Sequence, residues 1–260
     1  MNYFLYSVVF IFGLIFGSFA NVVIWRFPRG LSVVRPGSYC PKCEKNIPLY
    51  HNVPILSYII LRGKCASCGE SISTRYPIIE LLTALVTLSW FMKFNLSFTA
   101  FLFAVSGLLI IIASGIDIDY KILPPQFTYS LIVIGIIFSP FNSFLEGGFL
   151  GGGILTSLGG AAVGALLIYI VRFAGTKVFK KEAMGLGDMK LTAGLGALTG
   201  PAGVLWTLFI GSLLGSIAGI GIKTAGRAEK LQEIPFGPYL GAGMVIYVNF
   251  SGWLKSFFLI

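Results

Sequence analysis

Residues 98–119 read FTAFLFAVSGLLIIIASGIDID. The stretch 98–116 carries no charge, and Asp117 and Asp119 follow it at once. A bilayer core takes about 20 apolar residues of helix. This run is therefore long enough to cross a membrane, and it sets carboxylates at the membrane's edge. Residues 3–25, 150–171 and 202–222 form runs of the same kind. Residues 77–92, 126–145 and 236–254 do so less cleanly, because they contain Glu80, Pro140 and Pro238. A shorter apolar stretch covers 189–199. Lipid offers no water to open backbone groups, so these continuous blocks must be helical. A transmembrane barrel would instead need alternating ten-residue strands. The expectation is an all-α polytopic membrane protein of about eight transmembrane helices. Residues 1–9 contain no Lys or Arg, and Trp25-Arg26-Phe27-Pro28 follows the first run where a small-residue cleavage site would stand. That run is therefore expected to stay as a helix.

Composition agrees. Hydrophobic residues make up 56% of the 260 and charged residues 11%; an ordinary soluble domain carries about 25% charged. The net charge is +9. Of the 19 Lys and Arg, 17 fall in four segments: residues 26–76, the turn at Lys121, 172–190 and 223–235. Only Lys93 and Lys255 lie elsewhere. Eight spans put all four segments on one side, which the positive-inside rule makes cytoplasmic. The positive charge thus reports topology, and no helix-turn-helix or aromatic-basic platform points to nucleic acid.

The only cysteines are Cys40, Cys43, Cys65 and Cys68, two CxxC knuckles 21 residues apart. Each knuckle presents two thiolates from one tight turn, and a pair of knuckles closes a tetrahedral S4 site. Two disulfides are the rival reading, disfavoured in a cytoplasmic loop where thiols stay reduced. Four thiolates leave no open position for water, so zinc here would be structural, folding a loop with little core of its own. Iron suits the same ligands. The lone His51 is expected to pack or face solvent, since four cysteines already complete the site.

The chain has three aspartates, Asp117, Asp119 and Asp188. Asp188 opens the short sixth apolar stretch in Gly185-Leu186-Gly187-Asp188-Met189-Lys190. The topology brings it to the same cytoplasmic edge as Asp117 and Asp119. Ionisable groups at membrane depth are costly and suggest function. Two close carboxylates can divide the labour of peptide hydrolysis, one ionised to activate water and one protonated to serve the carbonyl. Alternatively they are interfacial anchors, or pair with Lys121 and Lys190. Gly185 and Gly187 are expected to let the backbone bend so that the aspartate and a substrate approach closely. The glycines at 147–153 and 159–160 are expected to serve close helix packing. There is no GxSxG elbow and, with one histidine, no HExxH site.

These residues resemble the type IV prepilin peptidases over nearly the whole chain. The resemblance is carried by Gly17-Ser18-Phe19-Ala20-Asn21 through Trp25-Arg26-Phe27-Pro28, and by the two knuckles with Asn52-Val53-Pro54-Ile55-Leu56-Ser57 and Leu61-Arg62-Gly63 between them. It continues through Ile72-Ser73-Thr74-Arg75-Tyr76-Pro77 with Glu80, through Ile116-Asp117 with Ile122-Leu123-Pro124, and through Ala183 to Leu191. Pro235-Phe236-Gly237-Pro238-Tyr239 is similar to the family's C-terminal motif. The resemblance implies an inner-membrane aspartic peptidase of the GxGD kind, with Asp117 and Asp188 as the dyad. Such an enzyme removes the basic leader of prepilins or pseudopilins, after a glycine, at the cytoplasmic face. It also implies N-methylation of the new N-terminus with S-adenosylmethionine. Pro124-Pro125 departs from the family's frequent Pro-Asp.

The resulting expectation is two parts. Residues 1–93 hold the first helix, the zinc loop 26–76 and the second helix, with Asn21, Arg26 and Glu80 as candidate cofactor contacts. Residues 98–260 form a six-helix peptidase core. The alternatives are a GxGD intramembrane peptidase of other substrates and a non-enzymatic scaffold that docks a partner through its zinc loop.

Overall fold

Ser97 stops an extended segment and caps a helix, its Oγ accepting the Ala100 N–H at 3.2 Å. That helix is α4 (Phe98–Tyr120), which extends the apolar run by one turn so that Asp117 and Asp119 sit in its last turns. The other helices are α1 (Asn2–Arg26), α2 (Leu56–Ile60), α3 (Arg75–Phe94), α5 (Pro125–Ile137), α6 (Gly153–Phe179), α7 (Leu186–Thr224) and α8 (Gly237–Phe257). This computed structural model describes residues 2–145, 152–180, 184–225 and 234–257. The glycines 147–151, Lys181, Ala183, Arg227 and Lys230, all used above, lie outside the described residues. Among the described residues no strand forms, only two isolated bridges.

Five of these helices, α1, α3, α4, α6 and α7, are long and apolar enough to cross a membrane. α7 is two helices in one. Gly200, at φ 76 and ψ 178, breaks it just before Pro201. A Cβ added at Gly164 would lie 2.6 Å from the Thr192 carbonyl oxygen and 3.0 Å from Val204 Cγ2. Twelve residues of straight helix would hold Thr192 and Val204 about 18 Å apart, so the chain doubles back at Gly200. The stretches 189–199 and 202–222 are therefore separate antiparallel arms, as their lengths suggested.

The run 126–145 is shorter than expected. Its helix starts at Pro125, where a proline suits the first helical position, and ends at Ile137. Pro140 then turns the chain into two short 3-10 turns, Ser139–Phe141 and Ser143–Leu145. A helix of 13 residues spans about 20 Å, less than the roughly 30 Å apolar core.

The chain forms two units, Met1–Asn95 and Leu96–Ile260. In the first, α1 and α3 pack antiparallel on a seam of small residues. A Cβ at Gly13 would lie 2.6 Å from Ala84 Cα, and one at Gly17 2.6 Å from Glu80 Cα. Asn21, one turn on, donates to the Tyr76 carbonyl at 3.1 Å. In the second unit α6 and the first arm of α7 touch backbone to backbone. An added Cβ at Gly160 would overlap the Gly196 carbonyl oxygen. Helices lacking a hydrophobic drive in lipid associate through such small-residue contacts, and Gly160 fills the packing role its sequence suggested.

Candidate functional site

α4 ends on Lys121, whose φ is 56 and whose N–H closes on the Asp117 carbonyl at 2.8 Å. The chain then passes through Leu123 and Pro124 into α5. Leu123 lies between Gly187 of α7 and Gly237 at the start of α8. A Cβ at Gly187 would come within 2.8 Å of Leu123 Cβ, and one at Gly237 within 3.0 Å of Leu123 Cδ2. The turn before α7 and the start of α8 therefore converge on the end of α4. Asp117 is buried at 5% exposure, and its Oδ2 accepts the Gly237 N–H at 2.9 Å. Asp188 is half-buried in the first turn of α7 and accepts the Gly185 N–H through Oδ2 at 3.2 Å. The turn that follows Asp117 and the turn that carries Asp188 thus meet at Leu123. Asp119 lies roughly 200° around the helix from Asp117 and is exposed.

Gly185 and Gly187 are not needed for bending. Gly185 has φ −73, ψ 149, which any residue adopts, and Gly187 is helical. They are needed for close approach: a Cβ on Gly185 would lie 3.2 Å from Asp188 Oδ2, and one on Gly187 would strike Leu123. Lys190, an alternative partner for the aspartates, instead sits over the Tyr129 ring at 4.7 Å. The sequence marked the Pro235–Tyr239 segment without showing its use, which is to supply the N–H that holds Asp117.

In the first unit the two knuckles are built alike. Cys40 N–H donates to Lys45 O and Glu44 N–H returns to Cys40 O, at 3.0 and 2.8 Å. Cys65 and Gly69 repeat this with Glu70 O and Cys65 O, at 2.8 and 2.9 Å. Glu44 and Gly69 both take positive φ at the matching position. All four sulfurs lie within 4.8 Å of one another, with Cys40 Sγ and Cys68 Sγ 3.9 Å apart. Four sulfurs at about 2.3 Å from a tetrahedral centre stand about 3.8 Å apart, so the cluster fits a metal ion, and no pair is at disulfide distance. The N–H groups of Ser67 and Cys68 pull the Cys65 thiol down to about 7. The Glu70 N–H acts the same way on Cys68, but desolvation and the neighbouring sulfurs push that thiol up to about 12. A divalent ion among the four would favour the thiolate of each. His51 stacks edge-on to Tyr50 at 4.5 Å and is not among the clustered ligands.

Asn21, Arg26 and Glu80 all line one cavity of about 490 Å³ in this unit, with Trp25, Tyr39, Tyr58 and Tyr76 among its walls. Arg26, 5% exposed, gives its guanidinium to the carbonyls of Ser32, Pro36 and Gly37 at 3.2, 2.7 and 2.9 Å. It pins the start of the loop. Glu80 Oε2 accepts the Ile55 N–H at 2.7 Å. Ile55 has φ 60, ψ −50, a strained conformation for a β-branched residue. Asn21 donates its amide to the Gly17 and Tyr76 carbonyls, and its buried Oδ1 has no partner among the described residues.

An all-α bundle with several membrane-length apolar helices, joined to a four-cysteine loop, defines a polytopic membrane protein with a candidate metal site. Residues 11–94 match the bacterial peptidase A24 N-terminal domain, and residues 102–220 the type IV leader peptidase family. A prepilin leader peptidase/N-methyltransferase of Aeromonas hydrophila is 34% identical, covering 98% of this chain and 95% of that protein. Proteins of the same description from Pseudomonas aeruginosa and Neisseria gonorrhoeae are 35% and 36% identical. They cover 93% and 94% of this chain, and 86% and 90% of their own lengths. No solved structure matches the chain significantly. The chain belongs to the type IV leader peptidase family.

Proposed function

We propose that the protein cleaves the basic leader from type IV prepilins or pseudopilins at the cytoplasmic face of the bacterial inner membrane, with Asp117 and Asp188 as its catalytic pair. The observation that carries this reading is the convergence of two carboxylates from α4 and α7 around Leu123, each held by one glycine N–H. A neutral peptide donor orients a carboxylate without neutralising it. One member, ionised, takes a proton from water as the water attacks the scissile carbonyl; the other, protonated, gives its proton to the carbonyl oxygen. On collapse of the tetrahedral intermediate the acid that took the water proton gives it to the leaving nitrogen and the other regains a proton from the diol, and the freed amine becomes the mature N-terminus. The pair titrates as a unit. Residues 98–260 are the peptidase core. The test is co-expression with a candidate prepilin, reading leader loss on a gel. Asp117→Asn and Asp188→Asn should each abolish cleavage while the protein still inserts, and full cleavage by both would refute the assignment.

A second activity, N-methylation of that amine, is favoured by the cavity in residues 1–93. Its volume of about 490 Å³ is that of a small-molecule site. Aromatic walls and the Glu80 carboxylate suit a cationic ligand, and the partnerless Asn21 Oδ1 leaves an acceptor in the same wall. S-adenosylmethionine, when bound, supplies the methyl group as a sulfonium. Glu80 and Asn21 would face it, while Arg26 holds the loop that closes the cavity. Zinc at Cys40, Cys43, Cys65 and Cys68 would fold that loop. Calorimetry of S-adenosylmethionine with the full chain, and the mass of the cleaved product, test this. An unmodified product under full cleavage would count against it.

A further inference from the structure

Four-residue steps run down the α6–α7 seam. Gly160 meets Gly196, Gly164 meets Thr192, and two steps further along α6 Arg172 meets Met184, just ahead of α7. There Arg172 Nη1 donates to the Met184 carbonyl oxygen at 2.9 Å. That oxygen belongs to the same peptide group as the Gly185 N–H, which donates to Asp188 Oδ2 at 3.2 Å. A peptide group is one planar, resonant unit. A guanidinium drawing charge onto its oxygen makes its N–H a stronger donor, and hydrogen bonds in such a chain reinforce one another.

Asp117 has a matching arrangement with a different source. Its Oδ2 accepts the Gly237 N–H, and the carbonyl of that peptide, on Phe236, accepts the N–H groups of Tyr239 and Leu240 at 3.1 Å each. The first turn of α8 thus does for Asp117 what a side chain must do for Asp188.

We infer that Arg172 is a positioning residue for leader cleavage: it fixes the Met184–Gly185 peptide and, through it, the Asp188 carboxylate. The inference rests on the reading of Asp117 and Asp188 as the catalytic pair. A basic residue serving only to orient the helix in the membrane would change how much enzyme inserts, not the kcat of the inserted enzyme, and would need no contact with Met184.

The test uses the full-length enzyme in detergent micelles with a prepilin substrate, comparing Arg172→Met and Arg172→Lys with Asp117→Asn and Asp188→Asn. Loss of one charge-assisted hydrogen bond that acts only through the reacting group should lower kcat by about 10–100-fold in Arg172→Met and leave KM within about twofold. Arg172→Lys, which keeps a charged donor, should recover most of the loss. Wild-type kcat in Arg172→Met, a loss carried by KM, or a lysine variant no better than methionine would each overturn the inference. Should Arg172→Met fail to accumulate, Arg172→Gln takes its place: kcat higher in Lys than in Gln supports the role, and equal values overturn it. Cleavage by the aspartate variants refutes the catalytic pair itself. Inactive aspartate variants beside an unaffected Arg172→Met remove only the role of Arg172.

Discussion

Replacing Gly160 by alanine adds one methyl group at the tightest point of the α6–α7 seam. The new Cβ would overlap the Gly196 carbonyl oxygen and lie 2.8 Å from the carbonyl carbons of Gly196 and Gly200. Carbon–carbon contact begins to be favourable near 3.5 Å, so the helices must part by well over half an ångström. The obstructing atoms are backbone of Gly196 and of Gly200 at the break, and have no rotamer to yield. Overpacking costs about 1–3 kcal/mol, and rigid neighbours put this site at the top of that range. Helix propensity returns about 1 kcal/mol for Gly→Ala, leaving a net destabilisation of about 2 kcal/mol. The same exchange at Gly252 on α8, where an added Cβ meets nothing within 4 Å, should instead gain up to about 1 kcal/mol. Denaturant titration of the two variants in mixed micelles, against wild type, reads both signs at once. Parting the helices also draws Arg172 off Met184, so leader cleavage should fall in Gly160→Ala and hold in Gly252→Ala. Equal stability of the two variants would refute the backbone-contact account of this interface.

Three further outcomes follow from the same geometry. Gly237→Ala sets a Cβ 2.9 Å from Asp117 Oδ2 and should displace that carboxylate, cutting the rate of cleavage at least about tenfold in a gel-based time course. Glu80→Ala strips the Ile55 N–H of its buried acceptor and should cost about 1–3 kcal/mol by denaturant titration, whereas Glu80→Gln keeps an acceptor and should cost less. Chelation, or Cys40→Ser, should release about one metal ion per chain by elemental analysis and expose residues 27–74 to limited proteolysis. A loop equally resistant with and without the metal would argue that its own hydrogen bonds suffice.

The features legible in the sequence were those written in neighbouring residues. Apolar runs marked α1, α3, α4, α6 and α8, and the spacing of Cys40, Cys43, Cys65 and Cys68 marked the metal cluster. Pro140 already weakened the 126–145 run, and the helix ends before it at Ile137. What stayed hidden depends on partners far along the chain. Gly237 reaches Asp117 across 120 positions, and nothing near either residue names the other. Arg172 counted only as one of many basic residues at the cytoplasmic side. Its contact with Met184 follows from the register of two helices, which is fixed by Gly160, Gly164 and Gly196 some turns away. Arg26 and Glu80 read as polar groups at membrane edges; that they hold carbonyls of residues 32–37 and the amide of Ile55 required the loop's fold.

The way Asp117 and Asp188 are held bears on the two readings that their composition left open. Interfacial anchors gain most from a cation, since a carboxylate paired with Lys is fixed in its charged form. Lys190, two residues from Asp188, is instead turned onto the Tyr129 ring. Asp117 and Asp188 are each met by the N–H of a glycine, one at the start of α8 and one just ahead of α7. A glycine is the residue that permits this, because a Cβ at either position would crowd the carboxylate oxygen it serves. An uncharged donor fixes direction while leaving each acid free to gain or lose its proton. Hydrolysis needs that freedom on every turnover, since one acid must take a proton from water while the other gives one to the carbonyl oxygen. An anchor has no use for it. The selection of peptide N–H groups over a nearby lysine is therefore an argument for chemistry at this end of the bundle, independent of any similarity to other proteins.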